Sequence, residues 1–381
     1  MGVVYFKSNL KRTKVLFTIP NFDTAGSGKA LLNIAKQLNK EKFTAEILCK
    51  HDKGEFFKKV LESGIKVHIF DYESPMRPIL KGLLRVWKIS RKFKEINPDI
   101  IHSFHYSADY SEPLAAKMAG IKWVYTKKNM NWGGSSKNAW WLRTRLADHI
   151  LVQNTDMFGF FTKFTKNKFS IVPRGVNTSE FPIEKDLNKN LLKTTLGLNQ
   201  GLNYIICVAN LVPVKGVEVL IEAFTQIYQP DWGLLIVGDD NSEYGKQLRS
   251  VVNSSDLRNA IFFTGKVQNV KDYLSASEIF VLPTKNEGRR EGSPVSMLEA
   301  MSKGLYVLGS NIPGIKDQLS DFPYLLFEAG NVEELKQKLV HAMGLDSVER
   351  HNVGMELAEH VKTNYSIEQE VERHEEVYTL I

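Results

Sequence analysis

The chain has 381 residues, 43% of them apolar and 24% charged, which is the balance of a folded globular protein and excludes a largely disordered or fibrous one. At this length two domains are the starting expectation. The net charge of +7 conceals a split: residues 1–183 carry 31 lysines and arginines against 15 acidic residues, and the remainder carries 19 against 28. A basic first half suits an anionic partner, whether a membrane surface, a phosphorylated acceptor or nucleic acid, although solvated lysines alone give the same balance.

Along the chain, short β-rich runs alternate with helical patterns. Met1 to Phe6 is too short an apolar run before Lys7 to read as a signal peptide. Nothing approaches the roughly 20 apolar residues of a membrane span. Lys14–Ile19 reads as a first strand, followed across a Gly-containing loop by Ala30, Leu31, Ile34, Ala35 and Leu38, an apolar helix face. That loop, Asp23–Lys29, is not a GxxxxGK[ST] phosphate loop: Asp23 stands where its first glycine belongs, and Ala30 follows Lys29. Glu46–Cys49, a short helix stopped by Gly64, and Val67–Phe70 come next. A basic helix, Ile79–Glu95, carries Leu80, Leu83, Leu84 and Trp87 at helical spacing. It reads as a core-facing helix with a wet basic side or as one lying in a membrane interface. Strands at Asp99–His102, Trp123–Tyr125, His149–Val152 and Phe169–Val172 close the first half. Between them Trp132, Trp140 and Trp141 fall in an Asn/Gly/Ser-rich loop, suited to stacking on sugars or to anchoring the loop.

A polar, Lys/Asn-rich stretch from Glu184 to Gln200 separates a second series. It runs through strands at Tyr204–Val208, Leu234–Val237, Ile261–Thr264, Ile279–Leu282, Tyr306–Leu308 and Tyr324–Phe327, with helices between them. Alternation of this kind makes parallel sheets covered on both faces. The expected fold is therefore α/β, two doubly wound Rossmann-like domains facing a cleft, divided at about residue 183. The two cysteines, Cys49 and Cys207, lie inside apolar strand-like runs. A disulfide framework is excluded, and a reducing cytosol is the natural setting. Ligands of open α/β sheets bind at the carboxyl ends of strands, where strand order reverses, so the chemistry is sought in loops that follow strands.

The most informative stretch runs from Phe280 to Asn311, FVLPTKNEGRREGSPVSMLEAMSKGLYVLGSN. Ser293 reads as an N-cap and Pro294 as a first helical residue, with Gly304 ending the helix. Glu291 then lies just before the helix's positive end and Glu299 on its second turn. Free amides at such an end hold phosphate, and carboxylates bind hydroxyls, a combination suited to a phosphorylated sugar. Taken alone, two solvated glutamates near a helix start are the more ordinary reading, and only the context reverses it.

In its context, this stretch resembles the E-x7-E motif of retaining glycosyltransferases of the GT-B superfamily, in particular glycosyltransferase family four (group 1). Further segments are similar in order: Ile205–Phe224, Leu235–Asp239, Phe262–Gly265 and Ile279–Pro283 to the donor-binding domain, Asp148–Asn154 and Ile171–Phe181 to the end of the acceptor domain. The resemblance implies a GT-B architecture, with an acceptor-side domain over 1–183, a donor domain over 184–364 and a C-terminal helix, 365–381, packing back on the first domain. It implies transfer of a hexosyl-type group from a nucleotide sugar to a glycan or lipid-linked acceptor in surface polysaccharide or lipopolysaccharide biosynthesis. No metal or other cofactor and no nucleic-acid partner is expected. The expected setting is cytoplasmic, and the charge balance of the first half with the basic helix Ile79–Glu95 leads to the expectation of peripheral contact with an anionic membrane.

The same resemblance assigns candidate roles. Lys215 falls on the family's lysine for the leaving diphosphate, while Asn210 stands where an arginine is common, so Arg289 or Arg290 becomes the candidate second cation. Glu291 would contact the donor sugar and Glu299 the ribose. The backbone from Ser293 through Pro294 to Val295, with the Ser293 and Val295 amides as donors, would meet phosphate and sugar oxygens, and the turn at Lys266 and Val267 would hold the base. Gly26 and Gly28 suit a backbone that approaches donor or acceptor across the cleft, and His105 is a candidate at the end of its strand. Asp239 and Asp240 are not read as a metal site. Competing readings are a nucleotide-sugar epimerase and a non-catalytic sugar-nucleotide binding protein. A nicotinamide oxidoreductase would need a G-x-G-x-x-G turn that neither sheet shows.

Overall fold

The strands Ile100–Ser103, His149–Val152 and Trp232–Val237 are buried at every residue, as parallel strands covered on both faces must be. The computed structural model describes residues 11–381 except 24, 106, 129, 131–136, 162–167, 185, 289 and 290. Two parallel sheets organise them. The first holds β1 (Thr13–Thr18), β2 (Phe43–Cys49), β3 (Lys66–Ile69), β4 (Ile100–Ser103), β5 (Lys122–Lys127), β6 (His149–Val152) and β7 (Phe169–Ile171), in the order β3-β2-β1-β4-β5-β6-β7. The second holds β8 (Asn203–Val208), β9 (Trp232–Val237), β10 (Ile261–Gly265), β11 (Ile279–Leu282), β12 (Tyr306–Ser310) and β13 (Leu326–Phe327), in the order β10-β9-β8-β11-β12-β13. Strand order reverses between β1 and β4, where Leu16 pairs with Ile101, and between β8 and β11, where Ile205 pairs with Ile279. Each reversal opens a crevice at the carboxyl edge, which is where this fold class binds ligands.

Helices cover both faces of the first sheet. Phe17 of β1 joins Leu31 and Ile34 of the helix Ala25–Gln37 on one face, and Leu16 joins Val86 and Phe93 of the helix Ile79–Ile96 on the other. In the second sheet a single apolar cluster runs from Ile205 and Leu235 to Met297, Leu335 and Leu357. The terminal helix Ile367–Leu380 crosses back: Val371, Val377 and Tyr378 complete the first sheet's core beside Phe17 and Phe43.

Two expectations change. The polar stretch Glu184–Gln200 is not plain linker, because it contains the helix Lys189–Thr195, capped by the Asn188 side chain on the Leu191 amide. Tyr324 belongs to a 3₁₀ turn, Pro323–Leu325, and the strand itself is only Leu326–Phe327. The helix Ser347–Asn364, not among the expected elements, packs along the helix Val295–Ser302.

Candidate functional site

The second crevice is assembled by the loops after β8 and β11. Lys285 donates its amide to the Val214 carbonyl at 2.8 Å, fastening one loop to the other. Gly216 lies at φ +63°, and a Cβ there would stand 2.2 Å from the Pro283 carbonyl oxygen. Only a glycine allows both the left-handed turn and the close approach. This packing carries Lys215 to Glu291, whose carboxylate it pairs with directly, and both side chains are largely withdrawn from solvent. The fully buried Thr284 lies 3.4 Å from the same carboxylate oxygen.

The helix Val295–Ser302 begins one residue later than its sequence suggests. Pro294, in an extended conformation, occupies the N-cap position, and no side chain caps the first turn. Ser293 is not the cap: its hydroxyl accepts from the Arg174 amide at 3.2 Å and from Gln318 Nε2 at 3.0 Å. The reason is competition, since two donors from outside the helix reach that oxygen first. Among the described residues nothing accepts from the amides of Val295 and Ser296. The positive end of this helix is therefore open toward an anion.

Contacts from the first half hold this loop in place. Asn154 Nδ2 donates to the carbonyls of Glu291 at 3.3 Å and Gly292 at 2.9 Å. A Cβ at Gly292 would sit 2.0 Å from the Lys128 carbonyl oxygen, so the loop passes against the first domain with no room to spare. Nearby, Thr155 donates its amide to Asp317 at 2.7 Å, and Lys316 pairs with Asp156 at 2.7 Å.

The Glu299 carboxyl has no hydrogen-bond or ion-pair partner among the described residues, although its backbone carbonyl accepts from the Lys303 amide at 3.1 Å. Burial pushes its carboxyl up to about 7; Lys29 across the cleft lowers it and Glu180 raises it. Lys29 and Glu180 themselves pair at 3.7 Å. An unpartnered, half-neutral carboxyl of this kind is poised to accept from ligand hydroxyls.

The remaining candidates are spread more widely. Asn210 and Lys266 are exposed, and Val267 packs against the core of the second sheet. Arg289 and Arg290 lie outside the described residues, as does Trp132. Gly26 and Gly28, expected in a loop, occupy the first turn of the helix Ala25–Gln37. Gly26 faces open space, whereas Gly28 is filled in by the rings of Phe22 and Phe56, so its missing side chain serves packing. His105 follows β4 at the first sheet's crevice, where Nε2 meets Glu73 at 3.0 Å. Glu73 is also held by Lys50. Its carboxyl, raised by burial, is brought below the ordinary value by His105 and Lys50. His102 is fully buried within β4, between Tyr378 and Thr126. Trp140 and Trp141 are helical, within Lys137–Leu146; Trp140 lies buried beneath Lys127, 4.4 Å from its ring, and Trp141 is exposed. Asp239 accepts from Asn241 at 2.9 Å and Asp240 pairs with Arg249, so both serve the local turn. Among the described residues no group of three His, Cys, Asp or Glu side chains could hold a metal.

The structure thus gathers Lys215, Glu291, Ser293, Pro294 and Val295 into one site and sets His105 in a second cluster. It adds Thr284, Asn154, Arg174 and Gln318 to the first and Glu73 with Lys50 to the second. Asn154 and Arg174 lie inside the segments Asp148–Asn154 and Ile171–Phe181, yet nothing in a single sequence shows that they reach 138 and 119 residues along the chain.

Comparison with known proteins agrees with this layout. Residues 188–355 match the family described as glycosyl transferases group 1, and residues 24–180 match glycosyltransferase family 4. A GDP-mannose-dependent monoacylated alpha-(1-6)-phosphatidylinositol monomannoside mannosyltransferase of Corynebacterium glutamicum is 29% identical over 52% of this chain and 53% of its own, so the match spans about half of that relative. A UDP-Gal:alpha-D-GlcNAc-diphosphoundecaprenol alpha-1,3-galactosyltransferase of Escherichia coli is 27% identical over 68% of this chain and 70% of its own. The crystal structure of Anabaena HepE in complex with UDP superposes with a TM-score of 0.81 at 17% identity, covering 97% of this chain and all of that one, which shows a shared fold.

Proposed function

The chain belongs to the group 1, family-four glycosyltransferases, and from that premise we propose that it moves a hexosyl-type group from a nucleoside diphosphate sugar to a glycan or lipid-linked acceptor, with retention of configuration and without a metal. The product would be part of a surface polysaccharide or lipopolysaccharide. Relatives named for GDP-mannose or UDP-Gal as donor and for a phosphatidylinositol or diphosphoundecaprenol acceptor support this reading, as does a neighbour of the same fold that binds UDP. Residues 1–183 with the terminal helix would serve the acceptor, residues 184–364 the donor, in a reducing cytosol.

One observation carries the proposal: an ammonium group, Lys215, paired to Glu291 beside an uncapped helix end. Breaking the anomeric C–O bond leaves a diphosphate with added negative charge, and preorganised donors stabilise such charge best where water is excluded. Lys215 and the amides of Val295 and Ser296 would supply that stabilisation, which is the charge compensation a metal gives in other enzymes. An arriving diphosphate exchanges with Glu291 for Lys215, and the freed carboxylate turns to the donor sugar. Glu299 would accept from ribose hydroxyls, Lys266 and Val267 would hold the base through their main chain, Asn210, Gly26 and Gly28 would line the donor's path, and Arg290 would supply a second positive charge. His105, oriented by Glu73, would stand at the acceptor side. An epimerase or a binding protein would not need an acceptor, and nothing in the site favours either.

The test is a melting-temperature series with nucleoside diphosphates and their sugar conjugates, joined to donor turnover by the parent and Glu291→Gln. A ligand that binds the native form raises its melting temperature. Stabilisation by one base series, with turnover lost in Glu291→Gln and stabilisation kept, is the expected result. Absence of stabilisation by uridine, guanosine and adenosine diphosphates alike contradicts the proposal.

A further inference from the structure

Five large apolar side chains stand in solvent on one half of one helix. On the helix Ile79–Ile96, Ile79 is 67% exposed, Leu80 78%, Leu83 43%, Leu84 63% and Trp87 50%. The helix does not use them for its own packing, because Gly82, Val86, Ile89, Phe93 and Ile96 form a separate buried face. Leu80, Leu83, Leu84 and Trp87 are three and four residues apart and so make one stripe. A contiguous exposed apolar stripe on a folded protein marks a docking surface, whereas scattered single residues do not.

Charge identifies the occupant. From Arg77 to Lys94 the segment holds seven lysines and arginines and no acid. The next residue, Glu95, is taken by Lys92 at 2.6 Å. Lys81, Arg85 and Lys88 are exposed beside the stripe, and the Arg91 guanidinium lies 5.6 Å from the Trp87 ring. An apolar stripe bordered by cations fits the headgroup layer of an anionic bilayer, with leucines and tryptophan at the acyl boundary and cations among phosphates. No helix among the described residues is long and apolar enough to cross a membrane, so such an attachment lies on the surface.

We propose that this stripe docks the protein on an anionic phospholipid bilayer with the cleft end of the first sheet toward the lipid. The helix begins at the carboxyl edge of that sheet: Ser74 donates its amide to Ser111 Oγ at 2.9 Å, just beyond β4, and the adjacent Glu73 meets His105. It ends at the opposite edge, where the Ile96 carbonyl accepts from Lys14 at 3.0 Å. The exposed residues occupy the first half of the helix and therefore border the crevice that holds His105. A lipid-linked acceptor would meet the cleft without leaving the bilayer surface. That consequence rests on the proposed transferase reading; the docking does not.

Sedimentation of the full chain with vesicles, without any nucleotide, tests it separately from the reaction. Vesicles of phosphatidylcholine with phosphatidylglycerol should bind at least about tenfold more tightly than phosphatidylcholine alone, and high salt should weaken the binding. Leu80→Ser with Leu84→Ser, and Lys81→Glu with Arg85→Glu and Lys88→Glu, should each remove most of it at an unchanged melting temperature. Independently of those variants, the parent's tryptophan emission should shift to the blue on anionic vesicles, and Trp87→Phe should lose that shift. Equal binding to neutral and anionic vesicles, or an emission shift unchanged in Trp87→Phe, overturns the proposal. So does a parent dimer that both sets of variants split, which would make a second copy the occupant.

Discussion

Lys215 is a surface-type residue that the fold has placed against Glu291, where the proposed reaction would need charge compensation. With Glu291 as its partner it is held at the floor of the crevice, so Lys215→Ala should lower kcat by about 10²–10³-fold, the scale of removing one preorganised transition-state donor. A turnover assay reads this; a change confined to KM would assign Lys215 to ground-state binding alone. Glu299 gives a prediction with a sign. Its folded pKa of about 7 lies above the 4.5 of a free carboxyl, so the native state holds the proton more tightly. The stability it contributes is complete below 4.5 and is lost as pH rises through 7. Glu299→Gln should therefore melt higher than the parent at pH 8, by up to roughly 3 kcal/mol, and equal it near pH 4. If the carboxylate accepts ribose hydroxyls, nucleotide binding near pH 7 should also release a proton, seen as binding enthalpies that vary with the ionisation heat of the buffer. Binding enthalpies that do not vary would detach Glu299 from the ribose. At this scale the E-x7-E spacing was legible, whereas the true use of the Ser293 hydroxyl was not, because its donors come from Arg174 and Gln318.

Among elements, the terminal helix is the one whose role depends most on buried polar contacts. Glu370, completely buried, accepts from the Gly175 amide at 2.8 Å and pairs with Arg174 at 3.0 Å. Arg174 in turn gives its amide to Ser293, so a single carboxylate links the terminal helix, the segment after β7 and the loop of the candidate site. Removing one partner of a buried pair strands the other, at a cost of about 3 kcal/mol or more. Glu370→Ala should loosen the helix Ile367–Leu380, and limited proteolysis should cleave within it far faster than in the parent. Equal cleavage rates would show that Val371, Val377 and Tyr378 hold the helix without the pair. The strands were legible because buried parallel strands read as continuous apolar runs, and Trp232–Val237 is such a run. The helix Lys189–Thr195 was not, because it is short, polar and mostly exposed. The helix at Gly26 and Gly28 read as a loop because glycine disfavours helices; at Gly28 the close approach of Phe22 and Phe56 leaves no room for a side chain, whereas Gly26 faces open space.

For the molecule as a whole, the carboxyl edge of the second sheet meets the loops after β5 and β6 of the first through Lys128, Asn154, Thr155 and Gly292. The division of charge between the halves, legible from composition, has its structural counterpart in the basic helix Ile79–Ile96. What composition could not locate was the exposed stripe on that helix, because the same spacing of leucines serves a buried face equally well. The account rests on the open end of the helix Val295–Ser302 and on Lys215 as the seat of a diphosphate. A crystal structure of the full chain with a nucleoside diphosphate, in the base series that stabilises it, tests this most directly. The account predicts phosphate oxygens on the amides of Val295 and Ser296 and on Lys215 Nζ, with Glu291 released from the lysine and Glu299 on the ribose. A diphosphate bound elsewhere, with the Lys215–Glu291 pair intact, would contradict it.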